Sequence, residues 1–123
     1  MKKIRLYLDS SVISALDDPK KPKRQQETKL FWEDIKSGKY EVVFSSVLFE
    51  EINKCERSKR EVLISFIKEI EYIDIETNDT IRTIADEIVK QGILSEKHRN
   101  DRLHIGSAIH GDSDCIVSWN LNI

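Results

Sequence analysis

Four short runs rich in β-branched and aromatic residues, each separated from the next by a segment of helical periodicity, restrict this chain to an α/β fold. Residues 3–8 alternate polar and apolar and end at Asp9; Tyr40 to Phe44, Tyr72 to Ile75 and Cys115 to Ser118 supply three more strands. Between them, Ser10 to Leu16 reads as a short helix capped by Asp9 or Ser10, and residues 24–37 as a helix stopped by Gly38. Ser45 or Ser46 caps a helix reaching residue 57, Lys59 to Ile70 and Asp79 to Gln91 are two more, and Asn100 or Asp101 opens a last one to Ile109. Strands joined by helical crossovers pair in parallel, which predicts a three-layer α/β/α domain around a mostly parallel sheet of four to five strands. With 123 residues, that is one domain over residues 1–123 with a substantial core.

Composition removes several classes. Charged residues at 34% and hydrophobic residues at 39% suit a folded globular chain rather than a disordered one. No apolar run approaches the roughly 20 residues of a membrane helix. Met1-Lys2-Lys3 leads directly into a strand rather than a signal peptide, so the expectation is a cytoplasmic protein without a membrane partner. Cys55 and Cys115 have no clustered spacing and read as buried thiols. A net charge of −2 argues against binding nucleic acid through overall attraction, although it leaves room for a local grip on phosphates. The dense basic cluster Lys20-Lys21-Pro22-Lys23-Arg24 lies with both prolines and reads as a solvated loop or helix approach, with a phosphate-contacting arm as the alternative.

Open parallel sheets place their sites beyond the carboxyl ends of the strands, near the switch in strand order. Asp9 ends strand one, Ser45 ends strand two, and Asn120 follows strand four, so the three can converge on one edge. Glu51 sits six residues after Ser45, and Asp101 opens a helix. Three carboxylates about 5 Å apart would repel by roughly 3 kcal/mol per pair at an effective dielectric near 20. Summed, that approaches the whole stability of a domain, about 5–15 kcal/mol, so such a cluster calls for a cation. Mg2+ or Mn2+ suits oxygen donors, and no His and Cys grouping favours zinc. An aspartyl phosphatase of the haloacid dehalogenase type needs a second aspartate where Ser11 stands, and the adjacent acids of a response-regulator receiver are missing.

Four segments resemble the PIN-domain nucleases, a family that includes the VapC-type toxins of bacterial toxin–antitoxin pairs. Leu6-Tyr7-Leu8-Asp9-Ser10-Ser11-Val12-Ile13 resembles the opening strand with its first metal-binding aspartate. Phe44-Ser45-Ser46-Val47-Leu48-Phe49-Glu50-Glu51-Ile52 is similar to the second motif, Asn100-Asp101-Arg102-Leu103-His104-Ile105-Gly106-Ser107-Ala108 to the third, and Asp114-Cys115-Ile116-Val117-Ser118-Trp119-Asn120 to the fourth. The resemblance covers nearly the whole chain in order. It implies Asp9, Glu51 and Asp101 as metal ligands and catalytic residues, with Asn120 where many members carry a fourth aspartate. Glu51 is preferred to Glu50 on its spacing from Ser45; an adjacent residue points about 100° away around a helix.

The implied chemistry is Mg2+- or Mn2+-dependent hydrolysis of RNA phosphodiester bonds, with a small antitoxin as partner and a homodimer as a common assembly. Ser10, Ser45 and Trp119 are candidate substrate contacts, although capping explains both serines equally well. His104 reads as a packed or hydrogen-bonded histidine, Asp114 as a brace before strand four, and His98 and His110 carry no spacing signal. Asn120 in place of a carboxylate points to one-metal catalysis, low activity, or a domain that binds RNA or protein without cutting. Leu121-Asn122-Ile123 stops short of a further strand or helix that the resemblance implies.

Overall fold

The computed structural model describes residues 2–92 and 99–119. Its elements follow the order β1 (Ile4–Leu8), α1 (Ser10–Ala15), α2 (Pro22–Lys36), β2 (Tyr40–Ser45), α3 (Ser46–Asn53), α4 (Arg57–Ile67), β3 (Ile73–Ile75), α5 (Asp79–Lys90), α6 (Arg99–His110) and β4 (Cys115–Val117). All pairings are parallel, and the strand order is β3-β2-β1-β4. The chain thus steps outward from β1 to β3 and then returns to the other side of β1, so the switch in strand order falls between β1 and β4. Four strands form the sheet among the described residues.

Period-two alternation distributes the core to both faces of the sheet. Leu6 and Leu8 of β1, with Val42 and Phe44 of β2, meet Val12 and Ile13 of α1, Trp32 and Ile35 of α2, and Leu63 and Ile67 of α4. On the opposite face Tyr7 and Val43 pack against Ala108 of α6, while Ile81 and Ala85 of α5 meet Leu103 and Val47. This makes three layers, with α1, α2 and α4 on one side and α5 and α6 on the other, while α3 reaches both cores through Leu48 and Val47. Complete burial of one such aliphatic side chain is worth about 1.5–3 kcal/mol.

Two glycines act at defined places. Gly38 adopts φ +85° and ends α2 at the expected position. Gly106 lets α6 lie directly on α5: a Cβ there would stand 2.9 Å from the Ile81 carbonyl oxygen.

Two sequence expectations change. α2 begins at Pro22, not residue 24, because proline at N1 needs no N–H partner and presets φ. Lys23 and Arg24 therefore belong to a helical first turn rather than a loop. The thiols are not both buried: Cys115 is exposed at the start of β4, an edge strand among the described residues, and Cys55 is only partly buried.

Candidate functional site

Asp9 lies at the carboxyl end of β1, beside the switch in strand order, and is almost fully buried. It is the N-cap of α1, its Oδ1 accepting from the Ser11 N–H at 3.0 Å and from the Ser11 hydroxyl at 2.5 Å. Ser118, just past β4, donates its hydroxyl to Oδ2. The two strands flanking the switch are thereby tied through this carboxylate. Ser11 Oγ also accepts the Trp119 backbone N–H at 2.8 Å.

Glu51 reaches the same end of the sheet from α3. Its Oε1 accepts from Ser10 Oγ at 3.0 Å and from His104 Nε2 at 2.6 Å, and its Oε2 accepts from the Asn100 amide at 3.3 Å. Burial pushes this carboxyl up, but the His104 hydrogen bond and charge, with the Asn100 and Ser10 hydrogen bonds, outweigh that effect and hold it below its ordinary range. Glu51 is therefore kept ionised.

Behind Glu51 runs a buried polar chain. His104 is 2% exposed, and its Nδ1 lies 2.5 Å from the Tyr7 hydroxyl, which lies 2.7 Å from Ser45 Oγ. Tyr7 and Ser45 are both fully buried. Ser45, Tyr7, His104 and Glu51 thus form one continuous run of hydrogen bonds from the buried end of β2 to the acidic site. Burial, reinforced by the charges of Asp9 and Glu51, drives the Tyr7 hydroxyl far above its ordinary pKa, so it stays a donor.

The other sequence-predicted residues fall as follows. Ser10 does not cap α1, and it bonds Glu51 instead. Ser45 stands at the N-cap of α3 but makes no capping bond, its hydroxyl being turned to Tyr7. Glu50 is exposed. Asp101 lies in the first turn of α6, half-buried, one residue from Asn100. Asp114 braces β1 against β4 by accepting the Arg5 N–H at 2.8 Å. Asn120 and His98 lie outside the described residues. Sequence reasoning missed Tyr7, Ser11, Asn100 and Ser118. For Ser118 a signal existed, since it ends the strand that neighbours Asp9.

Among the described residues no group of three or more His, Cys, Asp or Glu side chains forms a metal site. The expected carboxylate repulsion is relieved instead by hydroxyl, amide and imidazole donors. The donor set nevertheless fits a hard divalent ion. Asp9 Oδ2 accepts from Ser118 and Glu51 Oε2 from Asn100, a carboxylate oxygen has room for a further partner, and Mg2+, which keeps several waters, needs only one or two carboxylates.

A parallel sheet in this order, covered by helices on both faces and carrying acids at the carboxyl end of β1 and on α3, is a three-layer PIN-like fold. Two solved structures of VapC-type toxins share it. VapBC2 from Rickettsia felis, bound to a DNA fragment from its promoter, superposes with TM-score 0.60 at 14% identity, over 93% of this chain and 87% of that one. VapC20 of Mycobacterium tuberculosis, a toxin that cleaves the sarcin-ricin loop, gives TM-score 0.63 at 11% identity, over 94% and 89%. No family model and no curated protein sequence matches the chain.

Proposed function

We propose that this chain is a Mg2+- or Mn2+-dependent ribonuclease that hydrolyses RNA phosphodiester bonds, acting in the cytoplasm as the toxin of a toxin–antitoxin pair. The observation that carries the reading is that Ser10, the residue after Asp9 at the carboxyl end of β1, donates to Glu51. Asp9, Glu51 and Asp101 would hold the ion, with Asn120 as an outer partner. When bound, the ion supplies an activated water and offsets charge on the phosphoryl oxygens. The chain's own contribution is orientation: Ser11 and Ser118 fix Asp9, while His104 and Asn100 fix an ionised Glu51. A small antitoxin and a second copy of the chain are the proposed protein partners.

One observation favours a second reading, a PIN-like domain that binds RNA or protein without cutting. Glu51 is closed onto His104, and no third acid joins the pair as a metal site among the described residues. Incubation of labelled RNA with Mg2+ or Mn2+, with EDTA, and with Asp9→Asn and Asp101→Asn separates the two. Metal-dependent cleavage absent from both variants is the expected result. Binding without cleavage by all three proteins overturns the nuclease reading.

A further inference from the structure

The basic cluster of the α2 entrance lies against Trp119. The Arg24 guanidinium sits over the indole ring, 4.8 Å from its centroid, and the indole N–H donates to the buried Thr28 hydroxyl at 3.1 Å. The ring is thus held in a fixed orientation while remaining 39% exposed. On one side of it opens a cleft of about 440 Å3 walled by Lys21, Lys23, Arg24 and the opposing charge of Glu27. On another lies an apolar slot of about 220 Å3 walled by Val12, Phe31 and Val117. That slot is smaller than the roughly 300–1,000 Å3 of a drug-sized pocket and suits one flat ring. The Trp119 backbone N–H bonds Ser11, which bonds Asp9, so the platform is joined to the acidic site through a single side chain.

A fixed, half-exposed indole bearing a guanidinium, with ammonium groups beside it, combines the two elements that bind unpaired nucleic acid: a π-face for a base and cations for the backbone. A paired duplex keeps its bases stacked inside and cannot use the indole. We propose that Trp119, Arg24, Lys21 and Lys23 form the docking platform for a single-stranded stretch of the RNA substrate, one base continuing the Trp119–Arg24 stack. This rests on the ribonuclease reading above. It also explains how a chain of net charge −2 can hold a polyanion.

The test measures binding in EDTA, apart from cleavage. A labelled unstructured 12-mer RNA is titrated by fluorescence anisotropy, together with intrinsic tryptophan fluorescence, at several salt concentrations. Trp32 is 2% exposed, so quenching by a stacked base reports on Trp119. Trp119→Ala is expected to weaken binding about ten-fold or more and to abolish quenching. Lys21→Ala and Lys23→Ala, both at exposed positions, are each expected to lower the slope of log K against log salt by about 0.7. A duplex RNA is expected to bind wild type and Trp119→Ala alike. Wild-type affinity in the folded tryptophan variant, or an unchanged salt slope in the lysine variants, overturns the platform. Trp119-dependent binding by a protein that never cleaves RNA leaves the platform standing and removes the nuclease reading. Metal-dependent cleavage by a wild type whose variants bind unchanged does the reverse.

Discussion

Tyr7→Phe removes one oxygen atom from the centre of the buried polar chain and leaves the ring, with its packing against Val43 and Ala108, in place. Two groups then lose their partner, the Ser45 hydroxyl at 0% exposure and Nδ1 of His104 at 2%. A buried polar group left without a hydrogen bond costs about 1–3 kcal/mol, so with two such groups the variant should lose about 2–6 kcal/mol. That is a large part of the roughly 5–15 kcal/mol available to a domain. For a chain of this size it corresponds to a fall in Tm of about 8–24 °C. Urea unfolding followed by circular dichroism, in EDTA, measures the loss directly. A His104→Leu partner sharpens the test: if Tyr7 and His104 act as one network, the double variant costs less than the sum of the singles by about 0.5–3 kcal/mol. A loss below about 0.5 kcal/mol for Tyr7→Phe, or strict additivity with His104→Leu, would refute the reasoning.

Two further outcomes follow from the same layer of the fold. Gly106→Ala gains about 1 kcal/mol of helix propensity but drives its methyl to 2.9 Å from the Ile81 carbonyl, so α5 and α6 must separate; overpacking of about 1–3 kcal/mol makes the net effect a lowered Tm in scanning calorimetry. Because the folded-state pKa of Glu51 lies below its ordinary value, its contribution to stability is present above the unfolded value of about 4.3 and fades as pH falls through the folded one. Urea midpoints measured in EDTA across the acid range should therefore decline more steeply for wild type than for Glu51→Gln, with His104, Asn100 and Ser10 as the groups that set the difference.

The alternation of strand and helix runs was enough to specify the layers, because strand periodicity and helix stop signals are local properties. Asp9 and Glu51 were legible for the same reason: one ends a strand and the other stands a fixed distance into the following helix. What surrounds them was not. Whether Ser10 caps its helix or turns to Glu51, and whether His104 merely packs or grips a carboxylate, depends on how α1, α3 and α6 are rotated about the sheet. That rotation is set by contacts such as Gly106 on Ile81, between residues far apart in sequence. Cys115 was misread because an apolar-looking strand gives no sign of whether it lies at an edge. What the basic cluster packs against was not legible because Trp119, which it meets, is about a hundred positions away.

The bond between Ser118 and Asp9 spans 109 residues, and it bears on how the protein is made. At roughly 5–20 residues per second, the ribosome adds Ser118 about 5–20 s after Asp9. During that interval the earlier elements are being made, yet β4 is missing, Asp9 lacks the Ser118 hydroxyl, and Trp119 does not exist to meet Arg24. The acidic end of the sheet is therefore assembled last, and a nascent chain still attached to its own messenger RNA remains without a finished site until β4 has docked.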